Sequence, residues 1–167
     1  MNRKITSLTF LSLGLLLITL SLPAAGSRHC TIGSVVGDWA YSYSGTIILP
    51  SGPIPVATVG RFSAKGDGTF SGPQTRTVAG DVADETITGT YSLKSDCTET
   101  YAVSVFEGGA LVRTATLAVV VDNNETSARG IFTSLTLPDG TQLPSVITIE
   151  AKKIFPPGDQ ELAETEF

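Results

Sequence analysis

The chain has 167 residues, of which 41% are apolar, 7% aromatic and 16% charged, and its formal net charge is −5. That composition describes one modest domain able to bury a core, and it excludes a disordered or collagen-like chain. No run of like charge exceeds two residues, which excludes the basic footprint of a nucleic-acid-binding or polybasic lipid-binding protein.

The chain opens with Arg3 and Lys4, an apolar run from Leu8 to Leu20, and the small-residue stretch Pro23-Ala24-Ala25-Gly26. This is the layout of a secretory signal peptide over residues 1–26. The stretch from Ile5 to Leu22 has the length of a membrane span, but Ser, Thr and Gly interrupt it and a small-x-small cut follows Gly26. The leader therefore reads as cleaved. Cleavage removes Arg3 and Lys4 and moves the net charge from −5 to −7, which favours solubility and disfavours anionic surfaces. A secreted or periplasmic protein is expected, without nucleic-acid partners and not embedded in a membrane.

Residues 27–36 form an N-terminal segment that carries Cys30, and the second cysteine, Cys97, lies inside the domain. In an oxidising compartment the two are expected to pair. Closing so long a loop stabilises by roughly 4 kcal/mol on the chain-entropy account. Two thiols and the lone His29 fall short of a metal-ligand set, so neither metal nor cofactor is expected.

From Asp38 onward the pattern has period two and no sustained helical spacing. It predicts strands near Trp39–Leu49, Val56–Ala64, Thr69–Val78, Glu85–Leu93, Thr98–Phe106, Ala110–Val121, Thr126–Leu137 and Val146–Ile154. Turn chemistry separates them at Lys65-Gly66-Asp67-Gly68, Lys94-Ser95-Asp96-Cys97, Glu107-Gly108-Gly109, Asp122-Asn123-Asn124 and Pro138-Asp139-Gly140. The stretch GRFSAKGDGTF from Gly60 echoes GTYSLKSDCTE from Gly89, so one hairpin solution is used twice.

Odd positions carry the bulk in six of the strands: Trp39, Tyr41 and Tyr43; Ile87, Tyr91 and Leu93; Tyr101, Val103 and Val105; Leu111, Ala115, Leu117 and Val119; Ile131 and Leu135; Ile147 and Ile149. These are expected to face inward. In the second and third strands the parity shifts to Phe62, Ala64 and Phe70, which a bulge in the segment Pro50–Pro55 would allow. The connections are short, so the strands should form an up-and-down meander, and an even number of strands lets the first pair with the last. The expected fold is all-β, an eight-stranded antiparallel up-and-down β-barrel over residues 37–154, with a two-sheet β-sandwich as the alternative. Residues 155–167 read as a disordered acidic tail. Its terminal Phe167 matches the aromatic end of outer-membrane barrels, but Thr165, Ala163 and Glu161 continue no apolar band, and the outer face rich in Thr is not a lipid wall.

No nucleophile motif, zinc helix, phosphate loop or dinucleotide fingerprint appears. Charged residues that share the apolar parity are more informative: Arg113, Arg129, Glu99 and Glu107. Either they are rim residues with packed stems and solvated heads, or some of them orient a ligand in an apolar pocket. In the second case the ligand-binding residues are Trp39, Tyr41, Tyr43, Tyr91, Tyr101, Arg113 and Arg129. In either case strand pairing puts an ion pair between Arg113 and Glu107 within reach. The run Leu117–Val121 is apolar on both faces. Its outside should be covered by the chain's own ends or by a second copy, a homo-oligomer formed through the outer wall of strand 110–121.

Gly37-Asp38-Trp39 at the start of the first strand resembles the Gly-x-Trp opening of lipocalins and the Gly-Thr-Trp opening of avidins. Together with the two echoing hairpins and the strand count, it makes the chain resemble small secreted bacterial barrels of the calycin type (lipocalin- or avidin-like) or of the allene-oxide-cyclase and dirigent type. No helix precedes the last strand, a departure from lipocalins that shifts weight to the other two. The resemblance implies a Trp plugging one barrel end and an apolar interior. Three functions compete: a secreted binding protein for a small apolar or amphipathic ligand; a structural or interaction module, such as a surface barrel or inhibitor, without an internal ligand; and an isomerase resembling allene oxide cyclase that works by confinement.

Overall fold

The structure, a computed structural model, describes residues 30–122 and 125–154. The expected leader 1–26, His29, the turn tip Asn123-Asn124 and the expected tail 155–167 lie outside the described residues. A helical turn, α1 (Ile32–Val35), leads into β1 (Gly37–Leu49), β2 (Gly52–Ala64), β3 (Thr69–Val78), β4 (Asp81–Leu93), β5 (Thr98–Glu107), β6 (Ala110–Asp122), β7 (Ser127–Thr136) and β8 (Ser145–Lys153). Every strand pairs antiparallel with the next, and β1 closes on β8 from Trp39↔Lys153 to Ile47↔Ser145. The fold is the closed eight-stranded up-and-down barrel, not the sandwich. Closure removes the free edges that an open sheet of such strands would offer to aggregation. Among the described residues no helix is long and apolar enough to cross a membrane.

Consecutive turns fall at opposite ends of the barrel. One end, which we call the disulfide end, carries α1 and the turns after β2, β4 and β6; the far end carries the turns after β1, β3 and β5 and the loop 137–144. At the disulfide end the Cys30–Cys97 bond, with Cα atoms 5.1 Å apart, fastens α1 to the β4–β5 turn. Trp39 donates its indole N–H to the Val35 carbonyl at 2.8 Å, and Val35 is fully buried beside it. Lys153 Nζ lies 5.6 Å from the Trp39 ring centroid and donates to the Ser34 carbonyl at 2.6 Å. Helix turn, disulfide and tryptophan together form a stopper.

The parity shift between β1 and β2 needs no bulge. Both strands run on to a two-residue turn, Pro50-Ser51, and that spacing sets odd residues of β1 against even residues of β2, as in Trp39↔Phe62. Real bulges occur elsewhere and overturn two expected orientations. Val112 is the extra residue where Val105↔Arg113 steps to Phe106↔Leu111, and it leaves Leu111 exposed. Thr133 is the extra residue where Thr116↔Ser134 steps to Leu117↔Phe132. Below it Ala128 is buried, Phe132 packs on the core, and Ile131 points out at 53% exposure. A bulge flips every later side chain to the other face, because the strand period is two.

The echoing hairpins are the same turn atom for atom. Lys65 N donates to Thr69 O at 2.9 Å and Lys94 N to Thr98 O at 2.9 Å. Asp67 Oδ1 accepts from the Thr69 N–H and hydroxyl, and Asp96 Oδ1 does the same for Thr98. A third copy closes the loop before β8: Leu137 N donates to Thr141 O, and Asp139 Oδ1 accepts from Thr141 N–H. The residue after each Asp takes positive φ, at +80° in Gly68, +67° in Cys97 and +87° in Gly140.

Candidate functional site

The inward side chains leave an internal cavity of about 60 Å3 with an almost wholly apolar wall. Trp39, Tyr41, Phe62, Phe70 and Tyr101 line it, together with Val105, Ala115, Leu117, Phe132 and Ile149. The ring of Phe70 meets Phe62 and Tyr101 edge-on, at 5.6 and 5.4 Å between centroids. Phe70 also lies against Gly89, where a Cβ would fall 2.8 Å from its Cζ, so that glycine makes room for an aromatic ring. The cavity exceeds what one water needs and is smaller than the roughly 150 Å3 of an apolar cavity that admits benzene. Tyr43 and Phe132, whose ring centroids lie 5.1 Å apart, also line it.

Two polar stations face this interior. The first, toward the far end, centres on Glu85, whose side chain is fully buried. Arg113 grips it with both terminal nitrogens at 2.7 and 2.5 Å, Arg76 Nε donates to it at 2.6 Å, and Gln74 Nε2 at 2.5 Å. Tyr41 then donates its hydroxyl to Gln74 Oε1 at 2.6 Å, and Arg76 also reaches Glu107 at 3.1 Å. Burial pushes the Glu85 carboxyl up, but Arg113, followed by Gln74 and Arg76, outweighs it and holds the group below the usual carboxylate range. Burial, with Tyr43 and Glu85 nearby, pushes the Tyr41 hydroxyl far above its ordinary value, so it stays a neutral donor. The station is saturated: its carboxylate and both guanidinium groups already have partners.

The second station is Glu99, on β5 two residues beyond the disulfide-bonded turn. It is 4% exposed, it lines the cavity, and among the described residues neither carboxyl oxygen has a hydrogen-bond partner. The Tyr101 hydroxyl acts on it from the next inward position of the strand without reaching hydrogen-bond geometry. Burial lifts the Glu99 carboxyl to about 7, and Tyr101 only partly opposes it.

Of the residues expected to bind a ligand, Trp39, Tyr41, Tyr43, Tyr101 and Arg113 stand on the cavity wall. Arg113 is paired with Glu85 rather than with Glu107, which Arg76 takes instead. Tyr91 is placed differently: its ring stacks on Tyr101 at 5.6 Å and its hydroxyl donates to the Lys65 carbonyl at 2.6 Å, behind the wall. Arg129 borders the cavity, but its side chain is 70% exposed and its guanidinium is held by Asp122, because β7 reverses its faces at the Thr133 bulge. The outer wall expected to self-associate carries exposed Ala118 and Val120, beside exposed Ile131 of β7. Among the described residues no three His, Cys, Asp or Glu side chains converge as a metal site.

Sequence reasoning missed Gln74, Arg76 and Glu85. The signal was present, since Gln74 and Arg76 share the even parity of Phe70, and Glu85 shares the odd parity of Ile87 and Tyr91.

No protein-family model matches the chain, and no curated protein matches it. Among solved structures it is similar to the redesigned beta barrel mFAP1 bound to DFHBI, with 16% identity and a TM-score of 0.48 over 73% of this chain and 97% of that one. The related redesigned barrel mFAP0, also bound to DFHBI, has 17% identity and a TM-score of 0.46 over 72% and 99%. Rv2717c from M. tuberculosis has 12% identity and a TM-score of 0.39 over 74% and 95%.

Proposed function

We propose that the protein is an exported binding protein whose barrel holds a small apolar or amphipathic ligand. The observation that carries this reading is the unfilled apolar interior. Eight strands enclose just enough space for side chains to fill or for one small guest, and here the aromatic rings leave about 60 Å3 open. Apolar walls with a few fixed polar groups are the usual composition of a small-molecule site. Arg113 and Tyr43 supply such groups on one side, with Trp39, Tyr41 and Tyr101 as lining. The leader pattern over residues 1–26 supports export, as does the Cys30–Cys97 bond, which belongs to an oxidising compartment. The Gly37-Asp38-Trp39 opening and the stopper built on Trp39 support a place beside calycin barrels.

Native mass spectrometry of protein purified from its own host tests the reading. A small molecule that leaves on denaturation supports it. An empty barrel whose inward side-chain NMR signals are unmoved by xenon or by isobutanol at millimolar concentration removes it, and leaves the interaction module standing.

A further inference from the structure

Within that reading, the two polar stations differ in what they leave for a guest. Arg113 and Arg76 are already neutralised by Glu85 and Glu107, so an anionic ligand would have to displace a carboxylate held by several charge-assisted hydrogen bonds. Glu99 has no such partner. It is a buried acid in the cavity lining whose two oxygens have no hydrogen-bond partner among the described residues, and burying such a group unmatched is costly.

The neighbours of Glu99 sharpen the choice. On its own strand the next inward group is Tyr101. Across β4 the facing residues are Leu93 and the neutral Tyr91, and across β6 they are apolar Val119 and Leu117. No cation acts on it from any of these elements. Around Tyr101 stand Phe62, Phe70 and Tyr91, with ring centroids 6.3, 5.4 and 5.6 Å away. A carboxylate beside aromatic faces is the combination that recognises an ammonium group, through charge and through the ring quadrupoles together.

We propose that Glu99 is the anchor for a cationic nitrogen, so that the ligand of this barrel is a small amphipathic amine with its ammonium on Glu99 and its apolar body among the aromatic rings. The proposal rests on the ligand-binding reading above and narrows it to one chemical class. The cavity size limits the body to a short branched chain unless rings move. Burial holds the free carboxyl near neutrality, and an arriving ammonium would draw it down.

The test uses the disulfide-bonded protein and shape-matched probes at pH 8: isobutylamine, isobutanol and isovalerate, with xenon as a charge-free reporter of the cavity. Binding is read by NMR titration on the wild type, Glu99→Gln and Tyr101→Phe. Glu99→Gln keeps volume and removes the charge, and retained xenon uptake confirms that the barrel is intact. The expected result is at least tenfold tighter binding of isobutylamine than of isobutanol, no binding of isovalerate, and loss of the amine preference in Glu99→Gln with xenon unaffected. Carbon-detected titration of the Glu99 carboxyl should show its midpoint falling when isobutylamine is present and unmoved by xenon. Equal binding of amine and alcohol, or an amine preference that survives Glu99→Gln, overturns the proposal while leaving a ligand-binding barrel. Failure of xenon and every probe to bind overturns both.

Discussion

At the scale of single residues, the interior is decided by how each buried carboxyl is matched. Glu85 is satisfied on every side, and removing its charge strands Arg113, whose side chain is only 16% exposed. Breaking a buried pair from one side costs about 3–5 kcal/mol. Glu85→Gln should therefore lower unfolding stability by that amount in urea titrations. Glu107→Gln removes a partner that is half exposed and should cost below about 1 kcal/mol. Glu107 was read as an inward or rim residue from parity, and Glu85, though missed, was open to the same reading. Their pairing was not, because Arg76, Glu85 and Arg113 sit on three different strands, and their meeting depends on how far each strand is staggered around the barrel.

At the scale of elements, the strands and turns were legible because local chemistry dictates them. The Asp-Gly-Thr and Asp-Cys-Thr turns carry their own geometry, with Asp accepting from the Thr N–H two residues on and the residue between in the left-handed region. Gly140 tests this in isolation: its φ is +87° and a Cβ there meets nothing within 4 Å. Gly140→Ala should cost about 1–2 kcal/mol from backbone strain alone, measured by thermal or urea unfolding, with binding of any guest unchanged. The bulges at Val112 and Thr133 had no such signature. An inserted residue shows only in the partner's register, so Leu111 and Ile131 were assigned to the wrong face. The stopper is an element of a third kind, held by one covalent bond over a sequence separation of 67. Replacing Cys30 and Cys97 by Ala should lower stability by about 4 kcal/mol. It should also free α1 and expose Trp39, which a red shift of the single tryptophan's fluorescence would report.

At the scale of the whole molecule, closure followed from the even strand count and short connections, whereas the volume left inside depends on rotamers that no sequence pattern encodes. Closure also puts two carboxyls of opposite behaviour into one low-dielectric interior, and stability should record both. Glu85 is held below its ordinary range, so what it contributes is present above its unfolded value and is lost as pH falls through the folded one. Glu99 is lifted from 4.5 to about 7. Between those values the folded barrel binds a proton that the unfolded chain has released, so the native state loses ground as pH rises across that window. The full difference corresponds to about 3 kcal/mol. Urea unfolding of wild type and Glu99→Gln from pH 4 to pH 9 isolates it, since every other titrating group cancels in the comparison. The two proteins should be close in stability at pH 4, and the Gln variant should gain steadily to about 3 kcal/mol above wild type at pH 8. A difference curve flat across the window would mean that Glu99 is as well matched when charged as it is in water, and that the unpaired acid in the barrel wall has a partner after all.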